Sequence, residues 1–215
     1  MCVLVWCVGV CGGRSVCDVG VGFVRRMAAV AGAVADTVLN AMTDGADVRR
    51  AYVNNGGDIA LHLQEGESYS SVMVGHDGRE LGQIIIQSGY NVGGIATSGR
   101  HGRSLSCGIA DSVTVLSSCA AKADVAATLI ANAVDLASHP AITRLPANEV
   151  VDDSDLGKRP VVVGCGPLTQ PDRNTALRAG HDCALTMVKQ NTIHAAALFL
   201  QNDALATGSN MLISY

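Results

Sequence analysis

The stretch that most restricts the possible folds runs from Gly93 to Val134. Within it a glycine-rich basic turn, Thr97-Ser98-Gly99-Arg100-His101-Gly102-Arg103, is followed by an apolar run, Ala110 to Leu116, and by an Ala-rich segment, Ala120 to Leu136. The apolar run alternates Val113 and Val115, which predicts a strand. The Ala-rich segment predicts a helix with Asp124 in its opening turns. A strand delivered directly into a helix must pack that helix back onto its own sheet. Aromatics are 3% of the chain, so the core between them is built from Ala, Val, Ile and Leu.

Other elements follow the same logic. Met27 to Met42 reads as a largely buried helix, with Gly32 allowing close packing against a strand. Arg49 to Val53 and Asp58 to Leu63 read as strands interrupted by Asn54-Asn55-Gly56-Gly57. Ser70 to Val74 and Gln83 to Gln87, separated by the turn His76-Asp77-Gly78, continue an antiparallel meander. Ser138 to Arg159 is polar and predicts a surface loop, its acids Asp152, Asp153 and Asp155 solvated. Val161 to Val163 is a short strand, Arg173 to Lys189 a helix, and Ala195 to Thr207 a closing hairpin about Gln201-Asn202-Asp203. No internal repeat or linker is visible. The expected class is α+β, mostly antiparallel sheets packed with about three main helices, in one domain over residues 27–215 behind a divergent segment, residues 1–26.

Composition removes several function classes. A formal charge of −4 argues against general nucleic-acid binding, which needs many phosphate-neutralising cations. The eight cysteines show no Cys-x-x-Cys pair and read as reduced, buried thiols of a cytoplasmic protein. Cys107 stands beside the basic turn, where a cation lowers a thiol pKa. Met1 to Cys17 is too short to span a bilayer and lacks a signal-peptide pattern, so no membrane association is expected. Glycine-rich strands and scarce charge suggest a buried homodimer interface.

Three segments carry candidate chemistry. Asn55-Gly56-Gly57-Asp58 either brings backbone close to a ligand, with Asp58 holding a hydroxyl, an amide or a metal-bound water, or is an ordinary turn. Thr97, Ser98 and Gly99 can form a backbone nest for an anion. Arg100 and Arg103 suit phosphate there, and His101 suits proton transfer; the alternative is an exposed polar turn. Asp124 and Thr128 lie one helical turn apart and supply two oxygens for a Mg²⁺ shell, or else Asp124 serves a helix dipole and Thr128 packs.

Taken together, Asn55 to Asp58, Ala96-Thr97-Ser98-Gly99, Ser112-Val113-Thr114-Val115 and Ala123-Asp124-x-x-x-Thr128 resemble the signature of the ApbE superfamily, which includes the FAD:protein FMN transferases. The closer likeness is to a compact, largely uncharacterised branch, carried by Met27 to Ala33 and by Ser98 to Asp111. The resemblance implies an ApbE-like, T-fold-like architecture. It also implies Mg²⁺ held by Asp124 and Thr128, and a small anionic nucleotide, FAD or FMN. Asn55, Gly56, Gly57, Thr97, Ser98, Gly99, Arg100 and Arg103 would line that nucleotide, with Asp58 and His101 moving protons. An acceptor protein would receive FMN on a Ser or Thr hydroxyl. The chain departs from the transferases in lacking the Lys of their Gly-x-x-Lys-Gly helix and the His-Ile-Ile-Asp-Pro segment, whose place Arg100 to Asp111 takes. The alternative implied is a non-transferring flavin- or nucleotide-binding protein assisting sulfur or cofactor metabolism.

Overall fold

A computed structural model describes residues 28–208 and 212–214. The expectations for the cysteine-rich segment, residues 1–26, and for Met27 lie outside the described residues.

Six antiparallel strands form the central sheet, in the order β1-β2-β5-β6-β9-β10. These are β1 (Arg50–Asn55), β2 (Asp58–Leu63), β5 (Gly94–Ser98), β6 (Ser112–Ser117), β9 (Ala195–Leu200) and β10 (Asp203–Gly208). Side chains alternate between its faces. Val113, Val115, Ala196, Leu198 and Leu200 enter the core under the helices. Ile59, Leu61, Ile95, Leu116, Ala197 and Phe199 enter a second core on the other side. That second core is closed by a three-stranded sheet in the order β11-β4-β3, with β3 (Ser68–Val74), β4 (Glu80–Gln87) and β11 (Leu212–Ser214). Met73, Ile84 and Ile86 point into it. The meander expected from Arg49 to Gln87 is therefore two hairpins in two different sheets. Hydrophobic alternation marks each strand but does not say which sheet it joins.

Helices α1 (Val30–Thr43), α2 (Ala120–Ala133) and α4 (Gln170–Lys189) are the three substantial ones. In α2 nine residues are buried on all sides, among them Ala123, Val125, Ala127 and Ile130. It is an inner helix, with the sheet beneath and its neighbours beside it. By contrast α1 buries one stripe, Gly32, Ala35, Asp36 and Leu39. Val34, Val38 and Met42 on its outer face are 43–49% exposed, so the helix is half buried rather than largely buried. Gly32 packs against α2, not a strand: a Cβ there would stand 2.4 Å from the Ala120 carbonyl oxygen. The polar passage after Ser138 is more ordered than its composition suggests. It holds β7 (Ile142–Pro146), paired with β8 (Pro160–Cys165), and a short α3 (Ala147–Val150). No helix among the described residues is long and apolar enough to cross a membrane.

Two carboxylates, Asp36 buried and Asp124 half-buried, fasten α1 to α2. Asp36 of α1 accepts the Ala120 and Ala121 amide N–H groups at 2.9 Å each. Asp124 of α2 accepts the Gly32 N–H at 3.1 Å. Helix starts leave amide donors without intrahelical partners. Neither α1 nor α2 has a side-chain cap of its own from its N-cap residue. Each helix takes its cap from the other, so neither start is fully satisfied until the two have docked.

Candidate functional site

The turn between β1 and β2, the end of β5 and the start of β6 lie at one end of the central sheet, because β2, β5 and β6 are consecutive antiparallel neighbours. This brings the Asn55–Asp58 turn beside Thr97. The turn is tight and left-handed, with φ of 69° at Gly56 and 112° at Gly57, which only glycine adopts without strain. The Asn54 side chain accepts the Gly57 N–H at 2.9 Å. Against this turn lies the side chain of Arg103: a Cβ on Gly56 would be 1.8 Å from one of its terminal nitrogens. Gly56 thus serves twice, for its dihedral and for the room it leaves a guanidinium.

Asp58 sits between these groups. Burial pushes its carboxyl up to about 6, against the opposing pull of the Thr97 backbone N–H and the Arg103 charge. A carboxyl with that pKa exchanges its proton near neutrality, as a general base or acid must. Thr97 turns its hydroxyl the other way, 2.9 Å from the Thr114 hydroxyl across the β5–β6 pair.

The start of α1 joins this end of the sheet to α2. Asn55 donates from its side-chain amide to the Ala31 carbonyl at 3.1 Å. The next residue, Gly32, is the one that Asp124 binds. The Asn-Gly-Gly-Asp turn and Asp124 of α2 therefore meet at the first turn of α1. Thr128 is partly exposed, one turn further along α2. Asp124 does serve a helix dipole, but that of α1 rather than of its own helix. Among the described residues no group of three His, Cys, Asp or Glu side chains is placed to hold a metal ion. The protein offers there one carboxylate and one hydroxyl.

The other half of the basic turn is built differently. Arg100 is tied to Asp111, its Nε and Nη2 lying 2.8 and 2.7 Å from Oδ1. His101 Nε2 lies 3.2 Å from the same oxygen. The second oxygen of Asp111 accepts the backbone N–H of Gln201 in a short hydrogen bond. The His101 ring stacks on His76 of the β3–β4 turn, centroids 3.6 Å apart and planes 9° from parallel. Burial, then the Arg100 charge, then His76 hold the His101 pKa below its ordinary value, while Asp111 pulls it up. Arg100 and His101 thus anchor the loop to β6, β9 and the β3–β4 turn. Arg103 and Asp58 remain as the charged pair at the glycine turn.

The partners of several of these residues are not visible in the linear pattern. Asp111 sits inside the Gly-Ile-Ala-Asp run, and its spacing from Arg100 gives no sign that they pair. Asp36 reads as one polar residue on an apolar helix. His76 reads only as part of a turn. Each acts through a partner more than ten residues away, which local periodicity does not register.

A family model described as AbpE bacteria matches residues 14–209. A UPF0280 protein of Methanothrix thermoacetophila is 41% identical over 112 residues, covering 52% of this chain and 46% of that protein. A UPF0280 protein of Methanococcus maripaludis strain C7 is 38% identical over 114 residues, covering 51% of this chain and 45% of that protein. One of Methanopyrus kandleri is 32% identical over 166 residues, covering 73% of this chain and 64% of that protein. The chain spans about half the length of the first two of these curated relatives.

Proposed function

This chain belongs to the ApbE-like family whose bacterial model it matches, and from that premise we propose that it binds a flavin nucleotide, FAD or FMN, with Mg²⁺, where the glycine turn meets the basic loop. One observation carries the reading: the Arg103 guanidinium lies on Gly56 beside Asp58, whose carboxyl titrates near 6. An exposed guanidinium held against a glycine turn suits a phosphate. The donor set at Asp124 and Thr128 also fits the ion: two hard oxygens, with the ligand's phosphates and water left to complete the shell. Asp124 and Thr128 would hold it, and the ion would neutralise charge on the phosphates.

The activity we propose at this site is FMN transfer. The FMN phosphorus of FAD bonds to a Ser or Thr hydroxyl oxygen of an acceptor protein, AMP departs, and Asp58 takes the hydroxyl proton. Arg103 holds the phosphate, and the Thr97 N–H fixes the Asp58 carboxylate.

A second reading, nucleotide binding without transfer, is favoured by the commitment of Arg100 and His101 to Asp111, which leaves Arg103 as the cation on the turn. Titration of FAD with and without Mg²⁺, on the wild type, Arg103→Ala and Asp124→Asn, tests binding. Both variants should lose at least about tenfold in affinity, and unchanged affinity in both refutes the site. Asp124→Asn keeps an oxygen for the Gly32 N–H, which separates charge from helix capping. Covalent FMN on an acceptor separates transfer from binding alone.

A further inference from the structure

A cavity lies away from the Asp58 turn. It measures about 400 Å³, and Asp36 and Asn40 of α1, Leu61 of β2, Ser118 and Lys122 line it over the buried side chain of Leu39. Leu61 is three residues along β2 from Asp58, roughly 10 Å at the rise of a strand. Its N–H bonds to Gly93 O, before β5, whereas the basic loop follows β5. The size falls in the range of small-molecule sites.

The chemistry of the lining selects a ligand. Both oxygens of Asp36 accept α2 amides, so its charge is matched to the helix start and those amides are spent. Lys122 donates to the Ser118 hydroxyl at 3.2 Å and forms no ion pair among the described residues. Among the described residues that line the cavity it is the one formal charge with no carboxylate or helix-start partner. Asn40 also lines the cavity, and Leu39 and Leu61, each 6% exposed, form an apolar floor. A single ammonium over an apolar floor suits one small anionic head group, not a polyphosphate, and a lone carboxylate already holding two amides does not make a divalent-metal site.

We infer that this cavity binds a small amphipathic anion, its carboxylate or phosphate-ester head on Lys122, Ser118 and Asn40 and a short apolar body on Leu39 and Leu61. The site is separate from the nucleotide site and does not depend on it.

Calorimetric titration of the full chain at constant ionic strength with hexanoate, hexyl phosphate and hexylammonium tests this. Wild type is expected to bind at least one of the two anions below ~10 mM and hexylammonium more weakly. The tighter anion identifies the head group. Lys122→Met, which keeps the aliphatic stem, should weaken anion binding at least about tenfold while leaving FMN binding unchanged. Asn40→Ala, at an exposed helix position, should weaken it about threefold or more and serves if the first variant does not fold. The inference is overturned if neither anion binds, if hexylammonium binds as tightly, if folded Lys122→Met binds the anion normally, or if that variant loses FMN as well.

Discussion

The carboxyl of Asp58 offers the sharpest physical test, because its protonation is coupled to folding. Its pKa stands at about 6 in the folded protein against 3.8 for the free side chain. Between those values the folded chain holds a proton that the unfolded chain has released. Raising the pH through this window therefore costs stability, and above pH 6 the full cost is present. A shift of about two units corresponds to roughly 3 kcal/mol. Partial exposure of the group to solvent screens its charge, so roughly 1.5–3 kcal/mol is the working expectation. Asp58→Asn removes the charge but keeps an oxygen for the Thr97 N–H. At pH 8 the variant should gain that 1.5–3 kcal/mol, or a melting temperature higher by several degrees, about 2–4 °C per kcal/mol for a chain of this size. At pH 4 the gain should shrink to about half a kcal/mol, since the folded carboxyl is then protonated and the unfolded one is close to its own pKa and only partly ionised. Urea unfolding of both proteins at the two pH values measures the difference. A stability change that is the same at pH 4 and pH 8 refutes the burial argument. A loss at pH 8 would show instead that the Arg103 pairing outweighs desolvation.

The reciprocal caps make a second prediction. Asp36→Ala strands two buried amide donors at the start of α2 and should cost roughly 2–4 kcal/mol in urea unfolding, whereas Thr37→Ala on the exposed face should cost under about 1 kcal/mol. Gly32→Ala places a methyl 2.4 Å from the Ala120 carbonyl oxygen; moving the helices apart should lower stability by roughly 1–3 kcal/mol, seen in thermal melts. His101 has its folded pKa below the free value, so the unfolded chain takes up its proton first. Its neutral form should lose stability as the pH falls below about 6.5, and His101→Gln should remove that acid-side loss in urea curves between pH 7 and pH 5.

Part of this protein is written in its sequence. The strand-then-helix run from Ser112 to Ala133, the helix ending at Lys189 and the hairpin about Gln201 are local facts, set by hydrophobic period and turn residues. So is the glycine turn at Asn55, whose positive dihedrals demand glycine. The motif set that relates the chain to its family is likewise linear, since it consists of residue types in order. Tertiary structure alone decided the rest. Which hairpin joins which sheet depends on faces that alternate identically in both. Whether a charged side chain waits for a ligand or is spent on a neighbour depends on groups far along the chain. Arg100 and Arg103 are three residues apart and read alike, yet one is bound by Asp111 and the other lies on Gly56. Asp36 and Asp124 stand as isolated polar residues until the helices cross, and then each supplies the acceptor the other helix lacks. Charge and hydrogen bonding act through space, and a linear pattern records the groups without recording who meets whom.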